Sequence, residues 1–406
     1  MSRESGKAVK KIYFAGMSSG IVLCFLILLL LQAFQVIPRW WSSELTDNIK
    51  EKAAVVEEYI DKYYWKDDVS DDKIAAYAAK GMISALGDKY SAYYTSEEME
   101  EVMGGVNGDY AGIGASVSID RTTNKKYITS LQEGKPAEKA GLKVNDEIRK
   151  INGEDVSDKS LSDTVSMIKG EEGKTSVLTI ARTENNQTVT KEITVVCEKI
   201  VNQSVSTKLL DGNIGYLQIK NFDNETTAQF KEGVKQLEKQ NQKGMIVDVR
   251  DNGGGSLSAV VDILDSLLPA GKLITEKTKT KGDKTYESTD EEHFDKPLVV
   301  LINGSSASAS EVFAGTLQDR EAAVLVGVKS FGKGIVQTIF SLEKSCGGGI
   351  KLTTGEYFLP SGRSIHEKGL TPDVESEYTG TSNELGARDD NQLSKAIEVM
   401  KTKLGQ

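Results

Sequence analysis

Histidine and cysteine are scarce in this sequence, which has 406 residues but only two histidines and three cysteines. Two histidines, His293 and His366, are too few for most zinc sites and make a histidine-based triad difficult to build. The cysteines, Cys24, Cys197 and Cys346, have no metal-ligand spacing, and Cys24 lies in an apolar run. At most one disulfide could form, and unrelated thiols are the favoured interpretation. We expect no metal and no cofactor.

Basic residues are also fewer than acidic ones: 50 Lys and Arg stand against 60 Asp and Glu, which gives a formal net charge of -10. This balance argues against a nucleic-acid partner, because neutralising phosphates needs a basic face. A composition of 38% hydrophobic and 27% charged residues is typical of a globular protein. The length predicts two or three domains.

One long uncharged segment, residues 12–38, lies near the amino terminus. About 20 apolar residues are enough to span a bilayer, and basic flanks stay cytoplasmic. The preceding residues 1–11 carry four basic side chains, Arg3, Lys7, Lys10 and Lys11. We therefore predict a single-pass anchor in the cell membrane, with residues 1–11 cytoplasmic and the rest extracytoplasmic. A cleaved signal peptide is the alternative, although no convincing small-x-small site follows the apolar run.

The pattern of apolar residues divides the remaining chain into four parts. Residues 39–103 have apolar residues at three- and four-residue spacing, which predicts a helical arm. Residues 104–199 contain period-two segments and the hairpin signal Asn152-Gly153. Residues 200–375 alternate apolar runs with helical stretches, and 376–406 combine a polar linker with a terminal helix at Asp389–Leu404.

The third part predicts an α/β core with a largely parallel sheet, because continuous apolar strands separated by helices are typical of buried parallel sheets. The polar stretch Lys272–Phe294 is interpreted as an exposed excursion. The predicted strands are Ile214–Ile219, Met245–Val249, Leu298–Ile302 and Val324–Val328. The predicted helices are Thr226–Asn241, Ser256–Leu268 and Ser308–Asp319.

Three segments of this core carry candidate chemistry. In the first, the strand Leu298–Ile302 runs through small residues into a helix at Ser308. Such a turn exposes a serine hydroxyl beside free helix amides. A simple serine cap on the helix would give the same pattern. Glu311, one turn further, could satisfy amides at this helix end as a capping acid does.

The second segment places Lys333 between two glycines and two apolar strands. Burial favours a neutral amine, which could accept a proton from a serine. Gln337 follows in the next strand and could orient the amine. The motif of a phosphate-binding loop is disfavoured, because its upstream glycine and its following Ser or Thr are missing.

The third segment is the glycine triplet at 253–255, which follows the strand Met245–Val249. Amides of Gly253 or Gly254, together with that of Ala309, could bind an oxyanion. A tight strand-to-helix turn would look the same. Arg250 lies just before the triplet, and we expect it to hold the loops of the site in place by pairing with a carboxylate. Asp319 and Arg320, at the end of the Ser308 helix, are interpreted as capping and pairing residues rather than catalytic ones.

These segments resemble the carboxyl-terminal processing peptidases, also called tail-specific proteases. The resemblance rests on five motifs: Gly-Ser-Ser-Ala-Ser-Ala-Ser-Glu at 304–311, Phe-Gly-Lys-Gly-Ile-Val-Gln at 331–337, Asp-Val-Arg-Asp-Asn-Gly-Gly-Gly at 248–255, Pro-Ser-Gly-Arg-Ser-Ile at 360–365 and Thr-Pro-Asp at 371–373. It implies Ser308 as nucleophile, Lys333 as general base and Gln337 as the residue that orients the lysine. It also implies a protease core with an inserted PDZ domain. Together with the helical amino-terminal arm and the one transmembrane helix predicted above, the expected fold is a mixed, largely parallel α/β protease core with these additions.

The block at 104–199 is similar to the PDZ domain of that family. Its segment Tyr110–Ser116 resembles the loop that receives a carboxylate, which assigns substrate-tail binding to Gly112, Ile113, Gly114 and Ala115. The expected partners are proteins or peptides with free carboxyl termini, and the resemblance also implies a homodimer.

Two alternatives remain open. One is a histidine-based triad using His366, although a lone histidine in a polar turn is usually just exposed. The other is a non-catalytic PDZ scaffold, which should have lost the serine, lysine or glycine segment. All three segments are present.

Overall fold

The computed structural model describes residues 44–66, 70–107, 109–120, 122–185, 187–289, 293–380 and 389–406. The predicted anchor at 12–38 and its flank at 1–11 lie outside these ranges. Within them, no helix combines the length and apolar character needed to cross a membrane. The chain divides into two compact units, one ending at Ala75 and one beginning at Ala76.

The helices and strands are numbered in chain order. The helices are α1 Glu44–Tyr63, α2 Asp71–Ser84, α3 Ser96–Asn107, α4 Pro136–Lys139, α5 Leu161–Ile168, α6 Thr226–Lys239, α7 Leu257–Asp265, α8 Ala309–Asp319 and α9 Asn391–Lys403. The strands are β1 Ala92–Tyr94, β2 Asp109–Gly112, β3 Ala115–Ile119, β4 Lys126–Leu131, β5 Glu147–Ile151, β6 Glu154–Asp155, β7 Thr175–Glu184, β8 Gln187–Val196, β9 Glu198–Val201, β10 Val205–Leu210, β11 Ile214–Ile219, β12 Gly244–Asp248, β13 Gly271–Thr278, β14 Gly282–Ser288, β15 Leu298–Ile302, β16 Ala323–Gly327, β17 Ile335–Ser341, β18 Gly349–Phe358 and β19 Val374–Glu375.

The centre of the second unit is a six-stranded sheet in the order β10-β11-β12-β15-β16-β19. Only the β10–β11 pair is antiparallel; every other neighbouring pair is parallel. This confirms the predicted largely parallel α/β core, including the bounds of the strands β11 and β15.

Both faces of this sheet are covered by helices, which explains its continuous apolar strands. Helices α6, α7 and α8 bury residues such as Phe230, Ile263 and Phe313 against one face. Helix α9 buries Leu393 and Met400 against the other. The loops after β12, β15 and β16 emerge at the carboxyl ends of parallel strands, where ligands bind in open α/β sheets.

A second, antiparallel sheet packs beside the core in the order β1-β18-β13-β14, with β17 also paired to β18. The interpretation of Lys272–Phe294 as an exposed excursion was therefore wrong: most of it forms the hairpin of β13 and β14. Leu273 and Ile274 are fully buried. The polar outer residues hid the strand pattern, because strand formation here depends on pairing with the distant β18.

The predicted helical arm at 39–103 also departs from expectation. Helices α1 and α2 form, but the compact-unit boundary falls inside the arm, after Ala75. Strand β1 then joins the second sheet, and α3 continues past residue 103 to Asn107. The segment is therefore helical on both sides of β1 rather than throughout.

The predicted PDZ block forms its own sheet in the order β3-β4-β5-β7-β8, with β6 paired to β5. Its core includes Ile113, Ile128, Leu178 and Ile180. A separate two-stranded pair, β2 with β9, brings the start and end of the block together.

Candidate active site

Ser308 lies directly before helix α8, at the end of the loop that follows β15. Its φ of 56° is positive, which is uncommon for a residue other than glycine. Such backbone strain persists only where the surrounding structure enforces it, and it clusters at functional sites. The predicted strand–turn–helix arrangement for Ser308 is therefore present, with a backbone that a simple helix cap does not need.

Hydrogen bonds join the Ser308 loop to the turn after β12. The Ser306 hydroxyl donates to the Val249 carbonyl at 2.7 Å, and the Ser310 hydroxyl donates to the Asn252 carbonyl at 2.8 Å. The Ala307 amide donates to the same Asn252 carbonyl at 3.1 Å. The two loops consequently form one body at the edge of the sheet.

The glycine triplet packs directly against Ser308. A Cβ on Gly254 would lie 2.9 Å from the Ser308 Cβ and 2.8 Å from the Ala309 nitrogen, so only glycine fits this approach. The Gly254 amide donates to Asn252 Oδ1 at 2.9 Å and is therefore occupied. Within the described chain, the amides of Gly253 and Ala309 donate no hydrogen bond. Of the three predicted oxyanion donors, these two are free.

Lys333 lies in the loop between β16 and β17 and is half-buried. Its Nζ makes no hydrogen bond or ion pair with any residue that the structure describes. The amine instead lies 5.0 Å from the centroid of the Tyr90 ring. Burial lowers the pKa of Lys333, the charge of Lys351 lowers it further, and Asp88 opposes both. The direction favours the neutral amine that a general base requires.

Glu311 connects the Ser308 and Lys333 loops. Its Oε2 accepts the Ser308 amide at 2.9 Å and the Lys333 amide at 2.7 Å. Its Oε1 accepts the Gly332 amide at 2.7 Å and the Ser330 hydroxyl at 2.5 Å. The carboxylate is fully buried. Because one oxygen atom accepts both amides, the backbones of Ser308 and Lys333 are held side by side.

Gln337 is not placed where the sequence predicted. Its Nε2 donates to the Tyr90 carbonyl at 2.6 Å and has no hydrogen bond to Lys333. Nor is a hydrogen bond present between Ser308 Oγ and Lys333 Nζ among the described residues. The predicted pair is brought to neighbouring loops but is not hydrogen-bonded in this conformation.

His366 borders the lysine loop without reaching the serine. Its backbone nitrogen would lie 2.5 Å from a Cβ on Gly334, and it donates to Ser364 Oγ at 3.1 Å. The ring nitrogen Nδ1 is buried without a partner, and in the described ranges the ring does not bond to Ser308. This geometry disfavours the histidine-based triad.

The predicted carboxylate loop contains Gly112, Ile113, Gly114 and Ala115 and joins β2 to β3. The carbonyls of Ile113 and Gly114 accept the amides of Ala137 and Gln132 at 2.8 and 2.9 Å. Their own amides donate no hydrogen bond within the described ranges. Gly114 has a φ of 70°, and a Cβ there would collide with the Lys135 side chain. The loop thus presents two unused donors beside the edge of β3.

Two structural roles extend beyond what the sequence indicated. Tyr90 contacts both Lys333 and Gln337, and Asp390 bonds the buried Arg250 at 2.7 Å. Asp319 pairs with Arg363 at 2.8 Å, as the pairing interpretation expected. Tyr90 and Asp390 escaped prediction because neither is near its partner in sequence. Among the described residues, no cluster of three or more His, Cys, Asp or Glu could hold a metal ion.

Comparison with known proteins identifies the class. Residues 213–376 match peptidase family S41, and residues 127–182 match the PDZ domain family. These matches confirm the resemblance found in the sequence, for the core at 213–376 and for the PDZ block at 127–182.

Particular relatives are the probable CtpA-like serine proteases of staphylococci. The chain is 35% identical over 315 residues to that of Staphylococcus aureus (strain COL), which covers 77% of this chain and 61% of the relative. It is 36% identical over 336 residues to that of Staphylococcus epidermidis, which covers 82% of this chain and 66% of the relative. The chain thus spans less than two thirds of the length of these relatives. The putative S41 protease from Bacteroides fragilis shares the fold, with a TM-score of 0.53 at 15% identity over 90% of this chain and 99% of that one.

Proposed function

We propose that the protein is a serine endopeptidase that cleaves proteins near their carboxyl termini, with Ser308 as nucleophile and Lys333 as general base. The observation that supports this most is the buried Glu311 carboxylate, which accepts the backbone amides of both residues on one oxygen. A half-buried amine without an anionic hydrogen-bonding partner, next to a strained serine, suits proton transfer better than structural pairing.

In this mechanism Ser308 Oγ attacks the scissile carbonyl and neutral Lys333 accepts its proton. The protonated amine then donates that proton to the leaving amine. The amides of Gly253 and Ala309 bind the oxyanion, and donors of this kind contribute about 2.7–4 kcal/mol each. The amine must move from Tyr90 toward Ser308, which is expected because catalytic hydrogen bonds often tighten only with substrate bound.

The PDZ domain recognises the substrate tail. The free amides of Ile113 and Gly114 receive the terminal carboxylate, and the preceding residues of the peptide add as a strand beside β3. Cleavage should therefore weaken when the peptide's terminal carboxylate is replaced by an amide, because the loop then loses its anionic partner.

The dyad is tested with Ser308→Ala and Lys333→Ala on a peptide with a free carboxyl terminus. Each should abolish cleavage while leaving the circular dichroism spectrum unchanged. Matched controls are Ser305→Ala and Lys329→Ala, which change exposed residues of the same two loops and should keep wild-type rates. Cleavage retained in Lys333→Ala would contradict the dyad. A wild-type chain that binds tails but never cleaves would favour the non-catalytic scaffold.

The chain is anchored in the cell membrane by residues 12–38, with its catalytic part outside. This part of the proposal rests on the uncharged segment and its basic flank alone. Extraction of the full chain with alkaline carbonate tests it. Release into the supernatant would contradict the anchor.

The protein forms a homodimer through α1. Four large apolar residues of this helix have 56–65% of their surface exposed: Leu45, Val56, Tyr59 and Tyr63. The 3.6-residue period of the helix places them on one face. An apolar stripe this exposed is typical of a surface that another chain covers.

A further inference from the structure

We infer that Tyr90 positions the Lys333 amine and shields it from water, so that the amine is available to Ser308 as a base. The inference rests on the proposed function and adds a residue to it. Tyr90 lies outside the S41 match at 213–376 and outside every segment in which the sequence indicated catalytic chemistry.

The Tyr90 backbone is fixed by a compact turn. Asp88 Oδ1 accepts the Tyr90 amide at 3.0 Å, and Asp88 Oδ2 accepts the Ser91 hydroxyl at 2.6 Å. Ser91 Oγ in turn accepts the Thr353 amide of β18 at 3.0 Å. The turn is therefore attached to the same sheet that carries the strand after Lys333.

Two contacts join this turn to the lysine. The ring centroid lies 5.0 Å from Lys333 Nζ, and the Tyr90 carbonyl accepts Gln337 Nε2 at 2.6 Å. Gln337 lies on β17, four residues after the lysine. Tyr90 thus touches the amine directly and also holds the strand that follows it, so one residue controls both position and hydration.

The charged groups and the burial around the Lys333 amine determine whether its pKa should rise or fall when the Tyr90 ring is removed. Lys351 on β18 and Lys89 beside the Tyr90 ring are positive, while Asp88 is negative, and the Glu311 carboxylate is used by backbone amides. The ring face attracts an ammonium ion, but burial penalises the charged form, and burial is the largest cause of the lowered pKa. Removing the ring should therefore admit water and raise the pKa of Lys333.

The experiment compares Tyr90→Ala with wild type in the pH dependence of kcat/KM for peptide cleavage. The acid limb should move to higher pH by about one unit, which lowers the neutral fraction about tenfold below the pKa. Tyr90→Phe keeps the ring and should restore the limb. Tyr77→Ala removes an exposed ring 5.5 Å from the Lys80 amine and should not move it. A limb unchanged in Tyr90→Ala, or faster cleavage by that variant, would overturn the inference.

A second readout separates this inference from the proposed function. Competitive acetylation of lysines across a pH series, read by peptide mass spectrometry, gives the titration of Lys333 in a Ser308→Ala background without any turnover. A Lys333 pKa that rises when Tyr90→Ala is added supports the inference, and one that stays the same overturns it. If the wild-type chain fails to cleave any peptide, only the proposed function fails.

Discussion

Ser308 has a backbone conformation that costs about 1–3 kcal/mol for a residue other than glycine. Two neighbours keep it there: Glu311 accepts its amide, and the preceding Ala307 amide donates to Asn252. The result is a half-buried serine whose hydroxyl lies beside an unused Ala309 amide. Among the residues that the structure describes, Glu311 is the one side chain bonded to the backbones of both proposed reacting residues.

Glu311→Gln tests this role with an isosteric change. An amide group has one acceptor oxygen where the carboxylate has two. Each carboxylate oxygen accepts two donors here, so two of the four donors lose their acceptor and the other two keep only a neutral one. A hydrogen bond to a charged group contributes about 1.5–3 kcal/mol. We expect kcat/KM to fall about tenfold or more and the melting temperature to drop. A variant with wild-type kcat/KM would show that the carboxylate does not align the two loops.

The pH profile follows from the direction of the Lys333 pKa. The base must be neutral, so kcat/KM should rise with pH through a pKa below the ordinary lysine value of about 10.4. Lys351→Gln removes a positive charge that lowers this pKa. The acid limb should therefore move to higher pH in that variant. An acid limb near pH about 6.5 that does not move in Lys351→Gln would indicate a histidine as the base instead.

At the scale of secondary-structure elements, two buried ion pairs join helix α9 to the carboxyl end of strand β12 in the core sheet. Asp390 caps the helix by accepting the Leu393 amide at 2.9 Å, and it also accepts Arg250 Nη2 at 2.7 Å. Arg250 simultaneously bonds Asp248, and the side chains of all three residues are fully buried. The carboxyl-terminal helix therefore supports the strand end that leads into the glycine triplet.

Asp390→Ala should be strongly destabilising, because it leaves a buried guanidinium short of one partner. Breaking a buried ion pair in this way costs about 3–5 kcal/mol. Chemical denaturation monitored by circular dichroism measures it. The matched control is Glu398→Gln on the same helix, whose ion pair with Lys395 is exposed and should change stability by less than about 1 kcal/mol. Equal effects of the two variants would contradict a special role for Asp390.

At the scale of the whole molecule, the proposed homodimer depends on the exposed apolar face of α1. In the first compact unit, α1 turns an apolar stripe outward, and the opposite face carries charged residues such as Asp47 and Glu58. The proposed dimer would remove the stripe from water without altering the second unit, which contains the whole candidate site.

Val56→Glu tests the proposed dimer, because a charge in the centre of the stripe cannot be buried without a large penalty. Analytical ultracentrifugation of the chain from residue 44 onward should show a dimer for wild type and a monomer for this variant. Ala54→Glu, on the opposite face of the helix, should remain dimeric. A wild-type chain that is monomeric at all concentrations would refute the proposed interface.

The sequence predicted the parts of the fold whose signals are local. The apolar runs at Ile214–Ile219 and Leu298–Ile302 became strands with those bounds, because burial on both faces requires continuous apolar residues. The hairpin of β13 and β14 was missed, since its polar strands are stabilised by pairing with β18 rather than by their own composition.

The residues of the candidate site also divide into those with a local sequence signal and those brought in by contacts between distant segments. The sequence could single out Ser308, Lys333 and the glycine triplet as candidates, because each lies in a short segment with its own turn chemistry. Tyr90 could not, since it meets Gln337 across 247 positions, and neither could Asp390, which meets Arg250 across 140. Gln337 itself was expected on the lysine and instead bonds Tyr90.

The sequence by itself therefore determined the strand and turn content of the core and the residue types available for chemistry. Only the tertiary structure decided which groups surround the Lys333 amine, and hence its hydration and the direction of its pKa shift. The physical reason is that backbone preference acts over a few neighbouring residues. Burial and charge, in contrast, depend on every chain segment that packs against the group.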